Sequence, residues 1–233
     1  MLKLLLLLFI TTTIAARRIE VYNKCTFTTW VGILGPGNPA NGGFKLDGGQ
    51  RRDIHVGDEW EAGRIWARTE CDGNFNCATG SCGNREQCNG NGGQPPVTLA
   101  EFTFLPGKAD NYDISLVDGY NIPVFIFPQG GHRPEGGTCK NAGGCDKDIN
   151  QHCPQHLAVK KDGRTVACKS GCMAFGTKEE CCPTPEYNEY NCHPKETVKL
   201  FKEACPTAYS YAFDEKNNSL FQCVGASYVV QFC

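Results

Sequence analysis

The sequence carries almost no excess charge: 23 lysines and arginines stand against 25 aspartates and glutamates, a formal balance of −2 over 233 residues. Nucleic-acid binders show a basic domain or stripe, and anionic membranes attract polybasic segments, so both partner classes are set aside. Histidine is scarce as well, with five residues and no H-E-x-x-H. His152 and His156 are four apart, but Pro154 between them opposes the helix that would put both on one face. They read as solvated loop residues, and no metal or cofactor is expected. Long hydrophobic runs are missing too. Only Leu4 to Ile10 is unbroken, and seven residues fall well short of the roughly 20 that span a bilayer. There is neither an internal repeat nor a low-complexity segment.

What is present is cysteine, 16 residues, with 27 glycines and 13 prolines. Met1-Leu2-Lys3, the apolar run and the small residues Thr13-Ile14-Ala15-Ala16 have the order of a secretory signal peptide, residues 1–16. Losing Lys3 with it takes the balance to −3. The expected destination is extracellular, where disulfides persist, and the even cysteine count agrees with full pairing. Hydrophobic residues at 40% and aromatics at 10% are too rich for a disordered chain. A chain of this length buries a real core, so the bridges reinforce a core and do not replace one. Sixteen cysteines allow about two million pairings, and spacing alone fixes none. Cys181 and Cys182, being neighbours, lead to different partners. Asn217-Asn218-Ser219 makes Asn217 a glycosylation candidate.

Strand patterns dominate both ends. Ile19–Asn23 and Thr28–Ile33 are β-rich, and Gly63–Thr69 alternates, with Ile65 and Ala67 on one face and Arg64, Trp66 and Arg68 on the other. Cys71 to Cys88 holds four cysteines in a loop, followed by a second β block at Val97–Phe104, Tyr112–Val117 and Ile122–Phe127. Residues 139–205 hold nine cysteines among short helical fragments. The best helix is Pro194–Ala204, with proline at its start. The tail returns to strands at Ser210–Phe213, Leu220–Cys223 and Tyr228–Cys233.

One block, Arg64-Ile65-Trp66-Ala67-Arg68-Thr69-Glu70-Cys71 continuing through Gly73-Asn74-Phe75-Asn76-Cys77-Ala78-Thr79-Gly80-Ser81-Cys82-Gly83, resembles the signature of the thaumatin-like proteins, the pathogenesis-related family of thaumatin and osmotin. Similar matches are Pro95 to Phe102, Asp113 to Pro123, Cys205 to Tyr211 and the terminal Phe232-Cys233, so the resemblance spans essentially the whole mature chain. It implies an all-β-dominated fold, a flattened β-sandwich from residues 17–68, 97–146 and 206–233. A small stapled loop lobe (69–96) and a disulfide-rich short-helix lobe (147–205) complete it. It also implies the bridges Cys25–Cys233, Cys71–Cys77, Cys82–Cys88, Cys139–Cys223, Cys145–Cys205, Cys153–Cys168, Cys172–Cys181 and Cys182–Cys192, and a monomer.

The resemblance further implies an acidic cleft whose residues fall on Arg64, Glu101, Asp113, Asp118 and Asp214. Alternation supports part of this, since Ala100, Phe102 and Phe104 oppose Glu101 and Thr103. Two departures stand out: Ser81 replaces the family's aspartate before Cys82, and Lys160–Thr165 and Pro183–Asn191 look like extensions placed at the border of the cleft. The implied role is extracellular antifungal or antimicrobial defence through binding microbial β-1,3-glucan. Two alternatives stay open. If the groove hydrolyses glucan weakly, Glu101 is the acid and Asp118 or Asp113 the base; an inhibitor of foreign hydrolases would act through protruding loops. Phe125 and Phe127, two apart on one strand face, read as core before sugar platform.

Overall fold

The computed structural model describes residues 16–145, 147–215 and 218–233. The signal-peptide segment and Asn217 lie outside them, apart from the backbone of Ala16.

Two sheets pack face to face. The five-stranded sheet, in order β4-β1-β13-β8-β9, is built from β1 (Ala16–Asn23), β4 (Arg51–Gly57), β8 (Val124–Gln129), β9 (Ala142–Gly143) and β13 (Ser227–Phe232). The six-stranded sheet, in order β12-β7-β6-β5-β2-β3, comprises β2 (Thr29–Leu34), β3 (Gly43–Leu46), β5 (Trp60–Thr69), β6 (Leu99–Phe104), β7 (Asp110–Ser115) and β12 (Phe221–Cys223). Alternate residues face inward, as a strand's period of two requires. Ile19, Val21, Val124, Ile126, Val230 and Phe232 from one sheet meet Ile33, Ile65, Ala100, Phe102 and Ile114 from the other in one buried cluster. Tyr228 sits among them with its ring 5.3 Å from Phe102 in an edge contact, a geometry that adds about 0.5–1.5 kcal/mol to simple burial. One pair of neighbours is parallel: β1 lies beside β13, Ile19 against Tyr228. Just beyond their ends Cys25 bonds Cys233 across a separation of 208 residues.

The outer face of β5 is also covered. Trp66 and Arg68 are fully buried there beneath the loop stapled by Cys82–Cys88. Trp66 donates its indole N–H to Gly80 O at 2.8 Å, and it needs Gly32 beneath it, because any Cβ at that position would overlap its ring. Arg68 donates to the carbonyls of Trp30, Val31, Arg85 and Glu86, nailing the loop to the sheet. Burial draws its guanidinium down to about 10. The second staple there, Cys71–Cys77, closes the turn after β5.

The remaining lobe holds α1 (Ile149–His152), α2 (Gly171–Phe175), α3 (Lys178–Cys181), α4 (Val198–Ala204) and a hairpin of β10 (Ala158–Lys161) and β11 (Arg164–Cys168). Ser170 caps α2 and Thr177 caps α3 by accepting from backbone N–H groups. The bridges Cys145–Cys205, Cys153–Cys168, Cys172–Cys181 and Cys182–Cys192 hold these short pieces, and Cys139–Cys223 ties the lobe's entry to β12.

Three expectations are corrected. The best helix begins at Val198, not Pro194: Thr197 sits in the left-handed region at φ 60, and the Glu180 carboxylate accepts from the backbone N–H groups of Lys195 and Glu196. Ser210–Phe213 is a turn and not a strand, because Asp214 accepts the Ser210 N–H at 2.9 Å and closes the chain on itself. Lys160–Thr165 forms the β10–β11 hairpin around Asp162-Gly163. Phe125 and Phe127 are not core. Val124 and Ile126 take the inward positions of β8, leaving the two rings stacked, 5.9 Å apart and 7° from parallel, on the outer face of the five-stranded sheet.

Candidate functional site

Register builds the site. In the six-stranded sheet Arg64 of β5 pairs with Glu101 of β6, and Glu101 with Asp113 of β7. Three consecutive strands thus put their polar side chains in one row on the outer face, with cross-strand neighbours about 5 Å apart at Cβ. Inward neighbours fix that choice of face: Ile65, Ala100, Phe102, Tyr112 and Ile114 are buried in the sandwich, so the intervening residues point out.

Asp118 arrives from a turn after β7. Gly119 N–H closes it on Leu116 O, with φ at +84° and no room for a Cβ between Cys168 O and Pro96. The opposite wall is Tyr209, Ala212 and Glu215. Tyr209 is stitched to β7 by Tyr209 N–H to Ile114 O and Leu116 N–H to Tyr209 O, both 2.8 Å. These groups enclose an open cleft of about 340 Å³.

Asp214 is not in it. Its carboxylate is fully buried behind the wall, where it accepts from Ser210 N and Oγ at 2.9 and 2.8 Å and pairs with Lys202 Nζ at 2.9 Å. The next residue, Glu215, faces the cleft instead. Two adjacent acids in a turn point opposite ways, and nothing in the sequence says which is outside. Ser115 and Tyr209 were also missed; the alternation of Asp113 with Ser115 on β7 was the available signal for the former. Neither Lys160–Thr165 nor Pro183–Asn191 lines the cleft. Lys161 and Arg164 lie instead against Glu70, at 3.5 and 3.1 Å.

The charges on the cleft floor are unequal. Arg64 Nε meets Glu101 Oε1 at 3.0 Å. Glu101 is raised from the ordinary carboxylate range by burial, opposed by Arg64, with Asp118 adding repulsion. Asp113 has no ion pair of its own, and Arg64 relieves it only in part. Burial first, then the charges of Glu101 and Glu215, push it up to about 8, and its Oδ1 is buried without a hydrogen-bond partner. Both carboxyls of the pair are thus raised, and of the two it is Glu101 that has the cation, Arg64, bonded to it. The cleft presents a carboxylic acid donor beside carboxylate acceptors, the mixture that hydroxyl-rich ligands engage.

Among the described residues no group of three histidine, cysteine or acidic side chains is placed to hold a metal ion, and no helix is long and apolar enough to cross a membrane. His156 Nε2 lies 4.0 Å from Glu196.

The thaumatin family model matches residues 23–233. Pathogenesis-related protein 5 of Arabidopsis thaliana is 45% identical over 239 aligned positions, covering 99% of this chain and 96% of that protein. A glucan endo-1,3-beta-glucosidase of Prunus avium is 40% identical over 228 positions, covering 94% of this chain and 91% of its own length. Among solved structures, the GH family 64 laminaripentaose-producing beta-1,3-glucanase of Paenibacillus barengoltzii, complexed with laminarihexaose, superposes with a TM-score of 0.53 over 93% of this chain and 74% of that one. At 11% identity that last likeness concerns the fold alone. Family model and relatives agree over nearly the whole length, and the chain belongs to the thaumatin family.

Proposed function

We propose that this protein is a secreted defence protein that binds β-1,3-glucan-type polysaccharide of microbial walls in the acidic cleft. The observation that carries the reading is the Arg64–Glu101–Asp113 row on the floor of an open groove, with Asp118 and Glu215 at its sides. A groove open to solvent admits a polymer, and its mixed donors and acceptors match a ladder of hydroxyl groups. The relative named for β-1,3-glucan cleavage favours the same ligand class, and the one named for pathogenesis favours the defence role. Eight bridges suit an extracellular setting.

A second reading, weak hydrolysis, is favoured by one observation: two neighbouring carboxyls sit in unequal surroundings, Asp113 raised to about 8 by burial and Glu101 bonded to Arg64. General acid catalysis uses such a pair. In that case Asp113 is the proton donor and Glu101, held by Arg64, the carboxylate partner, the reverse of the assignment expected from the sequence.

Sedimentation with insoluble β-1,3-glucan tests the first reading. The wild type is expected in the pellet, and Glu101→Gln at least tenfold more in the supernatant with an unchanged circular dichroism spectrum. Equal binding by both proteins would remove the cleft from the function. Reducing-sugar release from soluble β-1,3-glucan tests the second, with Asp113→Asn expected to abolish any release.

A further inference from the structure

A larger cavity, about 550 Å³, lies elsewhere and shares no lining residue with the cleft. It opens where the start of β2, the end of β5, α1 and the β10–β11 hairpin converge. Its volume falls in the roughly 300–1,000 Å³ range of small-molecule sites.

One side of it is apolar. Phe27, 44% exposed, stands there with the half-buried Trp30 and Ile122. Three charged side chains also line it, Glu70, Asp148 and Arg164, two acids against one cation. The two acids are placed differently. Glu70 is met by Arg164 at 3.1 Å and by Lys161, which is not part of the lining, at 3.5 Å. Asp148 receives neutral donors: the backbone N–H of Asn150 at 3.0 Å, the Tyr120 hydroxyl at 3.5 Å and the side-chain amide of Gln151 at 3.4 Å. These bonds orient a carboxylate that caps α1 and leave its charge without a counter-ion among the described residues.

That asymmetry selects the occupant. An anion would be repelled by the unmatched carboxylate, and a neutral guest would cover it without matching it, at a cost in desolvation. A cation supplies the missing charge and is attracted by aromatic rings beside it. We propose that this cavity binds a small organic cation, a protonated or quaternary amine on an apolar body, with its ammonium against Asp148 and its apolar part on the Phe27, Trp30 and Ile122 side. The site uses none of the residues of the acidic cleft and does not depend on what the cleft binds.

The test uses the full mature chain labelled with ¹⁵N and the indole N–H resonances of its three tryptophans. Trp30 lines this cavity, the cleft contains no tryptophan, and the fully buried Trp60 and Trp66 serve as controls of folding. Three probes share one skeleton and differ in charge: phenethylammonium, 2-phenylethanol and phenylacetate. Phenethylammonium at pH 7 is expected to move the Trp30 resonance saturably. 2-Phenylethanol should bind about tenfold more weakly, having lost both the ion pair and the cation–aromatic attraction, and phenylacetate more weakly still. Asp148→Asn removes the charge and keeps a residue that caps a helix as well as aspartate does. It should weaken phenethylammonium about fivefold, leave 2-phenylethanol unchanged and leave glucan sedimentation intact. Phe27→Ala should weaken phenethylammonium about fivefold, and Glu101→Gln should not alter its effect on Trp30. The proposal is overturned if phenethylammonium does not move Trp30, if 2-phenylethanol or phenylacetate binds as tightly, if Asp148→Asn keeps the full preference for the cation, or if Glu101→Gln abolishes the shift.

Discussion

Asp113→Asn is the substitution whose outcome depends most directly on the electrostatics of the cleft. The carboxyl is raised from an ordinary 3.8 to about 8 by burial and by the charges of Glu101 and Glu215. An acid that binds its proton more tightly folded than unfolded lowers stability as pH rises between those two values. Below pH 4 both states are protonated and the position is neutral in effect. At pH 7 the unfolded chain has released the proton and the folded one has not, so the wild type forfeits up to 2.303RT for each of about three pH steps, about 4 kcal/mol. Water at the open mouth of the cleft relieves part of that. The expected gain from asparagine, which fills the same space and never ionises, is about 1–2 kcal/mol at pH 7, or about 3–6 °C in Tm for a chain of this size. Scanning calorimetry of both proteins at pH 4, 6 and 8 gives the answer. The Tm difference should be near zero at pH 4 and widen steadily to pH 8; a difference that stays constant with pH, or an asparagine variant less stable throughout, would refute the reasoning.

Two further perturbations address the supports of the site. Lys202→Met leaves Asp214 charged and buried without its cation; about 3 kcal/mol is expected to be lost in guanidinium unfolding, with weaker glucan sedimentation because the Tyr209–Glu215 wall is released. Adding Asp214→Asn should recover part of that loss, as a coupled pair requires. Arg68→Met orphans the carbonyls of Trp30, Val31, Arg85 and Glu86, and should cost about 3 kcal/mol while accelerating hydrogen exchange at Asn91 and Gln94; unaltered exchange there would mean the loop does not depend on the guanidinium.

The sandwich was readable because period-two burial is a local property of a strand: Ala100, Phe102 and Phe104 against Glu101 and Thr103 decides both a face and a side chain's direction. The Arg64–Glu101–Asp113 row followed from strands whose polar positions happen to share register, which the family resemblance supplied and alternation alone did not. Failures came where the chain turns. Asp214 and Glu215 differ in burial for a reason set by Lys202, twelve residues earlier on α4, and by a turn with no periodicity to betray it. Phe125 and Phe127 were misplaced because an alternating stretch of apolar residues on both faces gives no sign of which face is inside. The start of α4 was set by the distant Glu180 carboxylate competing for its first amides, a tertiary contact invisible in a window of eleven residues.

The parallel pairing of β1 with β13 has a consequence for biosynthesis. The strand at the middle of the five-stranded sheet is translated after every other strand of that sheet, so during synthesis β1 and β4 on one side, and β8 and β9 on the other, have no shared neighbour to join them. Until residues 227–232 emerge, two half-sheets with exposed ladder edges stay unjoined, and open edges of that kind invite aggregation.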